Sequence, residues 1–263
     1  MRNKVSKRLS VSAIVPAYNE EKNIAGVLSV LTKSPMIDEV IAVNDGSTDR
    51  TADIIRSFPS VTDVSFRKNH GKGHAIASGI GRARGDIVLF IDADLVNLTE
   101  RHIRRFVNPL LEKNADGVIG YMDKLSDKVF RPLSGERAYF RKDLIRLRSA
   151  MQNKGYRLEL FLNYAFRDKK IRTFPLTGVK HTPKYDKHDL GTAIVSSTKE
   201  IHAVLDEIMR HDNPPQYFFD TYLSLFYLKK LPATFRKKTV KLQSTIDGYR
   251  EKFERMLAQH IEA

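Results

Sequence analysis

Asp92 and Asp94 stand two residues apart, directly after the apolar run Ile87-Val88-Leu89-Phe90-Ile91. Carboxylates at that spacing, at the end of a buried strand, offer oxygen ligands to a hard cation such as Mg²⁺ or Mn²⁺. Such ions usually sit between a few carboxylates and the phosphates of a substrate. A lone D-x-D is equally a turn with two solvated acids; the neighbouring loops favour the metal. Lys72 lies between Gly71 and Gly73, where a strand pattern passes into a helix pattern. Glycines let the backbone approach a phosphate, and a helix N-terminus attracts one, though the same tripeptide is also an ordinary glycine-rich turn. Tyr18 offers a ring that could stack on a base. Asp45 could accept hydrogen bonds from a base or ribose. Glu20 serves equally well as a first-turn charge that favours the helix dipole.

These residues are positioned by an alternation of strands and helices. Leu9 to Val15 reads as a buried strand ending at Pro16, and Asn19 as the cap of a helix from Glu20 to about Leu31, with Ile24, Val27, Leu28 and Leu31 on one face. Glu39 to Val43 is a second strand, followed by a helix from Thr48 to Phe58 capped by Ser47 or Thr48. Val61 to Phe66, Ile87 to Ile91 and Gly117 to Tyr121 are further strands. Gly73 to Ala83, and Thr99 to about Leu111, are helices. The pattern predicts an α/β chain with a doubly wound, mostly parallel sheet, Rossmann-like in its nucleotide-binding half. In such sheets ligands sit beyond the carboxyl ends of the strands. The four polar sets 16–20, 44–47, 69–73 and 92–94 all fall there. Further on, Leu158 to Phe166 reads as a helix and Ile171 to Leu176 as a strand. From Thr192 the chain reads as helices, to about Met209, from Pro215 to Leu228, and as an amphipathic tail from Val240 to Ile261. The expected division is 9–125 for the α/β half and 126–263 for a helical C-terminal elaboration, within one continuous domain.

Composition narrows the chemistry. The 263 residues are 41% hydrophobic and 29% charged, which suits a folded core rather than a disordered chain. With no cysteine there is no disulfide, thiolate metal site or cysteine nucleophile, and a cytoplasmic location fits. No apolar run approaches the roughly 20 residues that a membrane span needs. The net charge of +14 suggests a polyanionic partner without choosing among nucleic acid, anionic lipid and phosphorylated substrate. No G-x-G-x-x-G follows the first strand, and Gly71-Lys72-Gly73 lacks the spacing of a Walker A loop.

The segments Ile14-Val15-Pro16-Ala17-Tyr18-Asn19-Glu20, Val43-Asn44-Asp45-Gly46-Ser47-Thr48-Asp49, Asn69-His70-Gly71-Lys72-Gly73 and Asp92-Ala93-Asp94 resemble family 2 glycosyltransferases of the GT-A fold. The resemblance covers about residues 9 to 121. It implies a nucleotide-diphosphate sugar donor, UDP- or GDP-linked, and Mg²⁺ or Mn²⁺ as cofactor. By similarity Pro16, Tyr18, Glu20 and Asp45 hold the nucleoside, Lys72 approaches the diphosphate, and Asp92 and Asp94 hold nucleotide and metal.

The acceptor half carries a weaker likeness. Pro132-Leu133-Ser134-Gly135-Glu136-Arg137 resembles the P-L-x-G-E segment of glucosyl-3-phosphoglycerate synthases, and Gly155-Tyr156-Arg157-Leu158-Glu159 their later Gly-aromatic-x-x-Glu segment. That resemblance implies acceptor contacts from Ser134, Gly135, Glu136 and Arg137. It implies catalytic roles for Asp94, Glu136 and Glu159, and a metal ligand in His181 beside Asp94. Arg131 and Arg141 suit an acceptor phosphate through their forked donors. Each has a plainer reading: Glu136 paired with Arg137 or Arg141, Glu159 a surface charge, His181 and His188 loop residues. The same order of features resembles soluble cores of polyprenyl-phosphate glycosyltransferases. The expected acceptor is therefore phosphorylated, phosphoglycerate-like or polyprenyl phosphate. Lys229, Lys230, Arg236, Lys237, Lys238 and Lys241 beside Phe226, Tyr227 and Phe235 suit peripheral contact with the inner membrane face, or else a basic helix pair that closes the fold. A homodimer is compatible with the sequence, and a nucleic-acid partner is not expected.

Two other classes compete. A sugar-nucleotide pyrophosphorylase shares the sheet type, but it carries a G-x-G-T-R loop where this chain has Ala17-Tyr18-Asn19-Glu20. A non-enzymatic basic module binding nucleic acid or membrane fits the charge. It leaves unexplained why Asp45, Asp92 and Asp94 gather at the ligand rim.

Overall fold

Val11–Ala17 forms β1, an interior strand of the sheet, and every side chain but Pro16 is buried. The computed structural model describes residues 8–122, 134–154 and 158–182. The predicted helices beyond Thr192, the basic cluster at 229–241, and Arg131, Pro132, Leu133, Gly155, Tyr156, Arg157 and His188 lie outside the described residues.

Among the described residues seven strands build one sheet in the order β3-β2-β1-β4-β7-β6-β8. They are β1, β2 (Glu39–Asn44), β3 (Val61–Ser65), β4 (Ile87–Phe90), β6 (Gly117–Met122), β7 (Arg137–Phe140) and β8 (Ile171–Leu176). The pairs β1–β2, β1–β4, β2–β3 and β6–β8 are parallel, and β7 runs antiparallel to both neighbours. A separate two-residue ladder joins β5 (Leu95–Val96) to β9 (Lys180–His181). Helices α1 (Ile24–Lys33), α2 (Thr51–Arg56) and α4 (Glu100–Leu111) bury their apolar sides in the core on one face. Helices α3 (Lys72–Arg82), α5 (Arg141–Met151) and α6 (Leu158–Ala165) cover the other. The predicted α1 face, Ile24, Val27, Leu28 and Leu31, is fully buried. At Gly79 a Cβ would meet Ile14 Cγ2 at 2.5 Å, so glycine is what lets α3 lie flat on β1.

Several boundaries differ from expectation for local reasons. β1 runs through Pro16 to Ala17. Ile14 points its carbonyl at Ile91 on the β4 side, so Pro16, two residues on, faces the same side just beyond the end of β4. No ladder bond is lost there. Asn19 is not a cap: it takes a left-handed φ of 54°, and its Oδ1 accepts the Thr48 N–H at 2.9 Å. Helix α1 begins only at Ile24. For α2 it is Asp49, not Ser47 or Thr48, that accepts the Thr51 N–H, at 2.9 Å. Burial acts to raise the Asp49 carboxyl, but hydrogen bonds from Thr51 and Glu21 prevail and hold it below the usual range. Among the described residues no helix is long and apolar enough to cross a membrane.

Candidate active site

Four strand ends and three later segments meet at one rim. From the ends of β1 and β2 come Tyr18, 43% exposed, and Asp45, 3% exposed. The Asp45 carboxylate accepts the His70 N–H at 2.9 Å and the Gly71 N–H at 2.7 Å, so it clamps the loop that leads into α3. Pro16 lies half-buried in the last turn of β1. Glu20, also half-buried, donates its N–H to Thr51 Oγ1 at 2.8 Å and draws α2 toward the rim. Each carboxylate oxygen has more than one lone pair, so Asp45 keeps acceptor capacity toward a ligand.

Lys72 opens α3 and points across the rim into carboxylates. Its Nζ lies 2.9 Å from Asp92 and 3.1 Å from Glu159 Oε1 on α6. Burial alone would lower its pKa, but Asp92, Glu159 and Glu136 together drive it well above an ordinary lysine, so it stays charged. Gly135 closes the other side: a Cβ there would sit 2.5 Å from both Lys72 Nζ and Asp92 Oδ2. Only the absence of a side chain lets the segment leading into β7 pass this ion pair.

Asp94 and His181 form the second cluster. His181 Nδ1 is 2.9 Å from Asp94 Oδ1, and its Nε2 is 3.8 Å from Glu136 Oε1. The β5–β9 ladder sets this contact, with Leu95 opposite His181, and the Thr182 N–H adds a 3.1 Å bond to the Asp94 carbonyl. Burial acts to lower the His181 imidazole, yet its bond to Asp94 and the nearby Glu136 lift it to about 9. Glu136 is 1% exposed, and neither carboxylate oxygen has a hydrogen-bond partner among the described residues. Burial and the nearby Asp92 push its pKa to about 7, against the pull of His181 and Lys72.

This donor set fits a divalent cation bound together with a substrate. Asp94 supplies a hard carboxylate oxygen and His181 an imidazole nitrogen, already in contact. Among the described residues no group of three or more metal-ligating side chains assembles. Mg²⁺ and Mn²⁺ commonly use one or two protein ligands and complete their shell with phosphate oxygens and water.

The remaining predicted residues separate into two kinds. Ser134 and Gly135 lie against the rim, Ser134 half-buried and Gly135 buried. Arg137 does not reach outward: it is 1% exposed, with Nε on the Ser134 carbonyl at 2.6 Å and Nη1 on Asn163 Oδ1 at 2.6 Å and the Tyr139 hydroxyl at 3.2 Å. Glu159 is no surface charge; it is 7% exposed and faces Lys72. Asn163 was not anticipated. Glu159 and Asn163 are four apart in an otherwise apolar helix, Leu-Glu-Leu-Phe-Leu-Asn-Tyr-Ala. Polar residues at that spacing share one helix face, and this is the signal that could have found it.

A family model described as glycosyl transferase family 2 matches residues 12–174. A 4,4'-diaponeurosporenoate glycosyltransferase of Staphylococcus aureus is 33% identical over 114 residues, 42% of this chain but 30% of that protein. The matched stretch thus spans under a third of that relative. Among solved structures, glucosyl-3-phosphoglycerate synthase from Mycobacterium tuberculosis with Mg²⁺ and UDP superposes with a TM-score of 0.60 at 25% identity, covering 75% of this chain and 79% of that one. The same enzyme with Mn²⁺ and UDP-glucose gives 0.62 at 23% identity over 79% and 81%. The mostly parallel seven-stranded sheet with helices on both faces is the GT-A fold.

Proposed function

Since the chain belongs to glycosyl transferase family 2, we propose that it moves a hexose from a UDP- or GDP-linked sugar to a phosphorylated acceptor, with Mg²⁺ or Mn²⁺ as cofactor. The observation that carries this reading is the meeting of Asp94 and His181, 2.9 Å apart, beside a Lys72 locked by Asp92 at a strand end and Glu159 on α6. The solved relatives support it: one is described with Mg²⁺ and UDP, another with Mn²⁺, UDP-glucose and phosphoglyceric acid.

The mechanism uses each group in turn. Tyr18 and Asp45, with Pro16 and Glu20, bound the nucleoside end. Asp92 keeps Lys72 extended toward the leaving diphosphate, and Glu159 holds the ammonium from behind. Asp94 and His181 would hold the cation, which when bound neutralises charge developing on that diphosphate. Ser134, Gly135 and Glu136 line the acceptor side. A neutral Glu136 donates a hydrogen bond to an incoming phosphate, whereas an ionised one repels it. Arg137 acts from below by fixing the Ser134 carbonyl and hence the acceptor loop. A phosphate acceptor is already a nucleophile; a hydroxyl acceptor needs its proton removed.

Thermal shift with UDP and GDP, with and without Mn²⁺, tests the donor site. A ligand at 100 times its Kd stabilises by about 2.7 kcal/mol. A Mn²⁺-dependent shift with one nucleotide, lost in Asp94→Asn, is the expected result. An equal shift without metal, or in Asp94→Asn, refutes the metal assignment. UDP release from UDP-glucose in the presence of phosphoglyceric acid or polyprenyl phosphate then identifies the acceptor class.

A further inference from the structure

At the far edge of the sheet, helix α4 and strand β8 enclose a groove of ≈ 470 Å³. Among the described residues four guanidiniums line it, from Arg101, Arg104 and Arg105 on the helix and Arg172 on the strand, against the single carboxylate of Glu112. Two of the four are already engaged. Arg104 pairs with Glu100 at 2.9 Å. Arg105 lies 4.3 Å over the Phe174 ring and donates to the Pro175 carbonyl at 3.0 Å. Arg101 and Arg172 are exposed and have no ion-pair or hydrogen-bond partner among the described residues. Three strand spacings, about 14 Å, separate β8 from β4, whose end carries Asp92 and Asp94. The groove is therefore distinct from the donor rim.

We infer that this groove is a second ligand site, for a discrete small molecule bearing a phosphate or diphosphate. Unpaired forked donors facing one concavity are what phosphate recognition requires. A flat bilayer fits a concave wall poorly, and the large exposed apolar side chains among the described residues, Tyr18, Val96 and Ile145, all lie outside the groove lining. An added peptide strand fits poorly too: Pro175 has no N–H to offer on this edge, and its carbonyl is taken by Arg105. Half-buried Pro109 gives the wall an apolar surface against which the body of such a ligand lies.

Equilibrium dialysis of the full chain against labelled inorganic pyrophosphate, with divalent metal chelated, tests the site. The wild type should bind saturably. Arg101→Ala/Arg172→Ala should raise Kd at least tenfold. Arg101→Lys/Arg172→Lys, which keeps charge but not the fork, should fall between. Lys72→Met, at the donor rim, should leave Kd within twofold. Both arginines are exposed, so the alanine variant should keep the wild-type melting temperature. Absence of saturable binding, an unchanged Kd in the alanine variant, or loss of binding in Lys72→Met instead would each overturn the inference. So would a variant that loses only its sedimentation with phosphatidylglycerol vesicles, which would make the groove a membrane contact.

Discussion

Gly135 makes room for an ion pair that any side chain would disturb. Gly135→Ala places a methyl 2.5 Å from Lys72 Nζ and Asp92 Oδ2. It should lower kcat/KM at least tenfold, about 1.4 kcal/mol or more in transition-state stabilisation, while the far-ultraviolet circular dichroism stays unchanged. Full activity in that variant would mean that the Lys72–Asp92 contact is not needed for turnover. Asn163 gives a second test. It accepts from a guanidinium that is 1% exposed, and Asn163→Leu strips that charge of an acceptor it cannot recover from water. The cost should be about 1–3 kcal/mol, read as a lower midpoint in urea with an unchanged slope. At this scale the sequence was legible where residue type alone carries chemistry, as at Asp92, Asp94 and Lys72. It was not legible at Arg137, because an arginine next to a motif reads as a ligand contact until its depth is known. The inward turn follows from strand alternation on β7, which no local spacing of Arg137-Ala138-Tyr139-Phe140 announces.

Helix α4 shows how an element is held at its start. The Thr99 N–H donates to His102 Nδ1 at 3.1 Å, and Nε2 contacts the Thr177 carbonyl at 3.2 Å. His102 thus takes the place of the Glu or Gln in a capping box and ties α4 to the turn after β8. Burial lowers its pKa, and Arg105 and Arg101 add to this against the Thr177 contact. The unfolded histidine titrates near 6.5. Above that pH neither state carries the proton, and the contribution is complete. Below it the unfolded chain takes up a proton that the folded chain resists, so stability falls as pH drops, by at most about 1.4 kcal/mol per unit. His102→Gln should keep the cap and flatten this part of the urea-midpoint profile between pH 7 and 5; an unchanged slope would place the titration elsewhere. Long periodic elements, such as the buried faces of α1 and α4, could be read from pattern. The short ones could not. β5 and β9 have two residues each, too few for any period to show, and the start of α5 directly after β7 leaves no turn residues to mark a boundary.

The whole chain carries +14, yet the rim concentrates acids. Asp92, Asp94, Glu136 and Glu159 gather there against Lys72 and His181. A diphosphate approaching that rim meets like charge unless a cation is present, whatever the field farther out. Affinity for UDP in calorimetry should therefore fall at least a hundredfold when EDTA replaces Mn²⁺; equal affinity in both buffers would mean that Lys72 alone carries the diphosphate. The overall plan was the most legible feature, because strand-helix alternation constrains topology strongly. The antiparallel β7 escaped it, since it is four residues long and Arg137 at its start leaves an apolar run of only three.

The two-rung ladder between β5 and β9 bears on how such enzymes can be recombined. It brings His181 back to Asp94 across 87 residues of chain, so one half of a potential ion-binding pair is encoded long after the strand ends that carry the other half. A chimera that exchanges everything after residue 125 would import a foreign histidine along with its foreign ladder. A junction placed after Thr182 keeps both rungs, and the 3.1 Å bond from the Thr182 N–H to Asp94, within a single parent. Modular shuffling in this architecture is thus constrained by a clasp of four residues rather than by the apparent seam between its halves.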